Sequence, residues 1–541
     1  MTTQLDARSR LADKAKRSPH TTAHSTSRCR ARAKTVAALI ALSLGTQAKT
    51  ALAQQATTPN ITPTTTPNTA PIVAPNVPAP SQMVTPTPEP IRYRLGNGLT
   101  VILEERHGVP QIAARMIVHA GRRDQPQGHT GLAHMLEHLM FERSTQASAE
   151  FSTLFESLGA IHVNGETSDE QTVYHAVMPA HRLAEVLWLE SGRLGFLLQR
   201  MDQATLDAQR RVVQSEHRER VDDVGGGFFL RFVNEAWYPV GHPQRDVFEH
   251  PEDVTAIRLS DLRWFFQRWY VPANVTLVLV GDFATVQARQ WIEQYFGSLA
   301  NTPVPLRSAV APVTISAERR IVVEAPAGNR VLLRWPTPAW LAPGDADATL
   351  AAFVLSGTTH SRLDRRLVDE LDIASSVNAN QISDSESGMF TIAASGAEEH
   401  TNDELMIQID AALDVLRTQL IAQAEFDRAK RRVVERVRRE GLTLESRCEQ
   451  LASYGEFDRQ ALDLTAVQLE QLQQSTPQSV MAFARRWLAP EHRLVAFLRQ
   501  TYREERRGVL AQGPVSLQPR NALRATTPTV TPTAFTLRGA Q

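Results

Sequence analysis

Cysteine is nearly missing from this chain: Cys29 and Cys448 are the two it has in 541 residues. Net charge is missing as well, with 58 Lys and Arg against 58 Asp and Glu. So is an N-terminal apolar run long enough for a membrane. The stretch Val36–Leu44 falls well short of the roughly 20 residues that a spanning helix needs. Each shortage excludes something once the N-terminus is read as a leader. Nine basic residues lie between Arg8 and Lys34, the apolar run follows, and Ala51-Leu52-Ala53 supplies an A-x-A site. Together they predict a secretory signal peptide over residues 1–53 and a periplasmic or secreted location. No Arg-Arg pair precedes the apolar run, which points to the general export route. Cleavage after Ala53 removes Cys29, so the mature chain can form no intramolecular disulfide. It also removes ten basic and two acidic residues, leaving 48 against 56, a net charge of −8. That balance gives no support for nucleic-acid binding, and no membrane span is expected in the mature chain.

What is present begins after a linker. Residues 54–90 are mostly Thr, Pro, Asn and Ala, too poor in large apolar groups to offset the entropy of ordering. The 503–541 tail has the same character. Between them, two motifs recur in register. Arg268-Trp269-Tyr270-Val271-Pro272 returns as Arg486-Trp487-Leu488-Ala489-Pro490, each copy leading into a strand-like run. Leu206–Val213 returns as Phe426–Val434 at nearly the same offset. Two coincidences in register indicate an internal duplication. The division expected is 91–305 and 306–502. Alternating β-branched runs such as Leu99–Leu103 and Ile112–Val118, set among long helical patterns, predict α+β domains. Each is expected to be a mixed or antiparallel sheet backed by helices. Asn97-Gly98 marks a tight turn before the first of these runs.

His134-Met135-Leu136-Glu137-His138 carries the chemistry. On a helix, residues four apart share a face, so both imidazoles could reach one zinc at about 2.0–2.1 Å with Glu137 beside them. A third protein ligand is wanted. Glu216 lies on a predicted helix, with His217 and Glu219 as competitors. The repeat favours Glu216, because its counterpart is the apolar Val437, and no second H-x-x-E-H occurs near 352–356.

With these residues in hand, the chain resembles the pitrilysin family of inverted-motif zinc peptidases, which includes mitochondrial processing peptidase and insulin-degrading enzyme. The matching residues are Leu95–Val101, Gly131–His138, Val212–Glu216, Tyr270–Asn274, Gly281-Asp282 and Ser361-Arg362-Leu363, in order over about residues 91–500. The resemblance implies one zinc per chain held by His134, His138 and Glu216, with Glu137 as catalytic base. It implies a catalytic first half, a non-catalytic second half, and together half of a clamshell chamber. Substrates would be peptides or small unfolded proteins, lying extended beside Asn164. The chamber would be completed by a second copy or an inactive relative. A non-catalytic peptide-binding or partner subunit of the same fold is the alternative. Two departures stand out. Gln209 occupies a position seven residues before Glu216 where relatives commonly carry Glu, and Asn164-Gly165-Glu166-Thr167 replaces an Asn-Ala-x-Thr strand.

Overall fold

The Asn97-Gly98 turn does open the first sheet. Gly98 has φ 92°, a conformation that favours glycine, and its N–H donates to the Leu95 carbonyl at 2.9 Å. The turn joins β1 (Ile91–Arg94) to β2 (Thr100–Glu105) as an antiparallel pair. The computed structural model describes residues 89–144, 149–219, 226–245, 248–307, 311–325, 327–457 and 464–501. The leader 1–53, nearly all of the linker and the 503–541 tail lie outside the described residues.

The first sheet continues with β3 (Gln111–Val118), β4 (Ile161–Thr167), β5 (Thr172–Pro179) and β6 (Val275–Gly281). Their order is β1-β2-β6-β3-β5-β4, with β2 and β6 parallel and the other pairs antiparallel. A second sheet holds β7 (Arg319–Ala325), β8 (Arg330–Thr337), β9 (Ala374–Ser383), β10 (Gly388–Gly396) and β11 (Leu494–Gln500). Its order, β7-β11-β8-β10-β9, repeats that of the first without the outermost strand, and β7 and β11 are again the parallel pair. The fold is therefore α+β, with two sheets of equivalent topology backed by helices.

Among the helices of the described residues, nine carry the site, the repeated motifs or the contacts between the halves. In the first half they are α1 (Leu132–Leu139), α2 (Gln203–His217), α3 (Gly226–Trp237), α4 (Pro251–Ala256) and α5 (Leu259–Trp269). In the second they are α6 (Asp345–Leu355), α7 (Gln423–Arg439), α8 (Leu444–Phe457) and α9 (Pro477–Trp487). The repeated motifs fall on equivalent elements: α5 runs into β6 as α9 runs into β11, and α2 matches α7.

Every residue of β6 is buried, as a continuous apolar run implies for a strand covered on both faces. One face packs on helices of its own half, among them α1 and α5. The other face is covered from the second half. Cys448, Leu451 and Ala452 of α8 pack on Ile102, Ala113, Ile117, Val173, Val177, Val278 and Val280. The second sheet is treated reciprocally, with Phe229, Val233 and Trp237 of α3 packing on Ile321, Val323, Leu332, Leu494, Ala496 and Leu498. Polar ties accompany both exchanges. The buried Arg447 guanidinium donates to Glu104 at 2.8 Å, and Arg334 donates to the Asn234 side chain at 2.7 Å. The strands thus divide between residues 281 and 319, while α3 and α8 cross that division.

Candidate metal centre

Gly131 sets the start of α1. Its φ is 86°, and a Cβ there would meet Val254 Cγ2 of α4 at 2.8 Å, so glycine is needed for both reasons. Thr130 fixes the same junction: its N–H and hydroxyl donate to Asp253 at 3.1 and 2.9 Å, and the His250 N–H donates to its hydroxyl oxygen. The helix that follows is buried at every residue but His138.

The two histidines meet as their spacing predicts. His134 Nε2 and His138 Nε2 are 3.1 Å apart, with side-chain exposures of 9% and 15%. Glu216, from α2, places Oε2 3.6 Å from the first and 3.7 Å from the second. Three ligands about 2.0–2.1 Å from a tetrahedral zinc would stand roughly 3.3 Å from one another. The observed edges bracket that value, and imidazole with carboxylate is a donor set that zinc takes, so the residues fit the ion. Glu137 belongs to the same cluster, its carboxylate and the two imidazoles offering donor atoms all within 4.8 Å of one another. Thr167 at the end of β4 donates its hydroxyl to Glu137 Oε2 at 2.6 Å.

The competitors for the third position lie elsewhere. Glu219 is exposed, and His217 is buried with Nδ1 4.0 Å from Glu249 Oε2. The Gln209 amide donates to Glu142 at 2.7 Å and not to a histidine of the motif. Asn164 sits half-buried on β4, the edge strand, paired in register with His175 of β5. The neighbouring glycine has a specific neighbour. A Cβ on Gly165 would lie 2.9 Å from Phe141 Cε2 and 3.0 Å from Glu137 Cγ, so the edge strand approaches Glu137 as closely as it can. In the second half, Val437 is buried in an apolar cluster, and Ala352 and Ser356 take the places corresponding to the histidines.

One residue was not legible in the sequence. Glu249 precedes α4 by two positions and is 13% exposed, with Oε1 2.5 Å from His134 Nδ1. Burial acts to raise its carboxyl pKa, but the charge and hydrogen bond of His134 outweigh that and hold it down to about 2. Burial likewise disfavours charge on His134, and Glu249 overcomes it, so the imidazole pKa is raised. No periodicity marks Glu249; the contact joins residues 115 apart in the chain.

A centre of two imidazoles and one carboxylate, with a second carboxylate beside them, is the donor arrangement of a hydrolytic zinc site. Comparison with known proteins gives the family. The family model described as "Insulinase (Peptidase family M16)" matches residues 100–227, and "Peptidase M16 inactive domain" matches residues 256–433. A zinc protease, PqqE, of Helicobacter pylori is 28% identical over 356 residues, which are 62% of this chain and 76% of that protein. The mitochondrial-processing peptidase subunit beta of Saccharomyces cerevisiae is 24% identical over 353 residues, 62% of this chain and 75% of that one. Among solved structures, the periplasmic protease PqqL from Escherichia coli superposes with a TM-score of 0.62 at 19% identity. That match covers 77% of this chain and 48% of PqqL, and it shows a shared fold. The chain belongs to the pitrilysin-type, M16, family of peptidases.

Proposed function

We propose that the protein is an exported zinc-dependent endopeptidase acting on peptides or small unfolded proteins. The observation that carries this reading is the triangle of His134 Nε2, His138 Nε2 and Glu216 Oε2, with edges of 3.1, 3.6 and 3.7 Å and Glu137 beside it. His134, His138 and Glu216 would hold one zinc per chain. What a zinc ion supplies there is polarisation of the scissile carbonyl and a water acidified toward a pKa of about 7.

The chain's own groups do the rest. Glu137 takes the proton of the attacking water and passes it to the departing amine. The Thr167 hydroxyl occupies Glu137 Oε2, which leaves Oε1, facing Gly165, to accept that proton. An extended substrate adds to the edge strand β4 at Asn164 through main-chain hydrogen bonds, a sequence-tolerant mode of recognition. Residues 91–305 form the catalytic unit and 306–502 its non-catalytic copy. The chain matches about half of the PqqL length, so a second copy or an inactive relative completes the chamber. Export follows the signal peptide of residues 1–53, and the periplasmic protease named in the comparison is in keeping with it. Among the described residues, no helix is long and apolar enough to cross a membrane.

The test is elemental analysis with peptide-library digestion, with and without chelator. One zinc per chain and chelator-sensitive cleavage are expected. Glu137→Gln should keep its zinc while hydrolysis falls by at least about 100-fold. A protein that holds no zinc and cleaves nothing is instead the non-catalytic partner subunit.

A further inference from the structure

A histidine that binds metal through one ring nitrogen needs the other held. A carboxylate or carbonyl accepting from that second N–H fixes the tautomer and ring orientation and makes the ligand more basic. Family resemblance puts a glutamate seven residues before Glu216, but position 209 is glutamine here. Its amide donates to Glu142, at 2.7 Å. Glutamine brings no charge to that position.

Glu249 is differently placed. Its Oε1 lies 2.5 Å from His134 Nδ1, so Nδ1–H donates to it and the Nε2 lone pair faces His138 and Glu216. The loop carrying it is held in place at several points. Thr130, just before α1, is hydrogen-bonded to both His250 and Asp253, which flank the start of α4. Gly131 lets the start of α1 close up on this segment, a Cβ there meeting Val254 Cγ2 at 2.8 Å and coming into ordinary contact with Glu249 Cγ at 3.4 Å. The buried His217 faces the other oxygen at 4.0 Å. A buried carboxylate is thus aimed at one buried imidazole and backed by a second.

We propose that Glu249 is the positioning residue of this metal centre: it orients His134 for zinc, a role that Gln209 does not fill. The proposal rests on the zinc reading above. It implies that the acidic support has passed from α2 to the loop before α4, where it reaches His134 from the far side of the ring.

Zinc affinity of the full-length chain, measured by competition with a chromogenic chelator, tests it. Melting of the metal-free variants is followed alongside. Glu249→Ala should weaken zinc binding roughly 10- to 100-fold, as loss of such a partner does elsewhere. Glu249→Gln should fall between, because its amide oxygen still accepts from Nδ1 but carries no charge. Gln209→Ala should stay within about threefold of the unsubstituted chain, well under that range. The proposal is overturned if both Glu249 variants, melting as the parent does without metal, bind zinc as tightly as it does. It is overturned equally if Gln209→Ala is the variant that loses affinity. An unsubstituted chain that takes up no zinc overturns the metallopeptidase reading itself, which is a different result from either.

Discussion

Single side chains decide whether this centre holds metal. Glu216 has its carboxylate 3.6 and 3.7 Å from the two imidazole nitrogens, while Glu219, one turn further along the chain, is exposed. Glu216→Gln should therefore lose zinc on dialysis and Glu219→Gln should keep it, as read by metal content per chain. The opposite pattern would mean that α2 presents its next turn to the histidines. The loss should exceed the roughly 10- to 100-fold expected for a supporting group, because a ligand itself is removed. His134, Glu137, His138 and Glu216 were readable because helical spacing and the repeat with Val437 are local or periodic signals. Glu249 was not. Its place depends on Gly131 and Thr130 meeting Val254 and Asp253 across 123 residues of chain, and no pattern within one segment encodes that meeting.

Elements, more than residues, set how tightly the proposed catalytic carboxylate, Glu137, is confined. The edge strand β4 presses against α1 at Gly165, where even a methyl group would lie 2.9 Å from Phe141 and 3.0 Å from Glu137 Cγ. Gly165→Ala should displace the Glu137 side chain or bow the strand away from it. Hydrolysis should then fall roughly 10- to 100-fold, since a shift near 1 Å at a catalytic group costs about that much. Zinc content should not change, because the atoms nearest that position belong to Phe141 and Glu137 and not to a candidate ligand. Peptide turnover and elemental analysis on one sample separate the two effects, and undiminished turnover would show that the contact relaxes harmlessly. The sequence announced a weakened strand at this glycine. The physical reason for it, an approach between strand and helix, could come only from packing.

At the scale of the whole molecule, the halves are joined by the exchange of α3 and α8. Cys448 reports on it. The side chain is buried between α8 and the first sheet, 3.5 Å from the Val278 carbonyl, and burial pushes its thiol up to about 12. A thiolate is the reactive form, so this group should be inert while α8 stays in place. In a chain beginning at Gln54, a thiol reagent should leave Cys448 unmodified in native buffer. Labelling should appear at the same denaturant concentration at which the rest of the structure is lost. Labelling at a clearly lower concentration would mean that the two halves come apart before either unfolds. The duplicated motifs made two equivalent units legible. The exchange was not, because nothing in the sequence of α8 or α3 marks which sheet each will cover.

That exchange also sets a timetable. Synthesis delivers the chain from its N-terminal end, so all six strands of the first sheet arrive before any part of α8 does. Until residue 457 is through, the face carrying Ile102, Ala113, Ile117, Val173, Val177, Val278 and Val280 lacks its cover. The half that holds the candidate metal centre is thus among the first portions delivered and cannot be finished until nearly the last. A nascent chain stalled short of α8 would present a sticky apolar sheet to its neighbours.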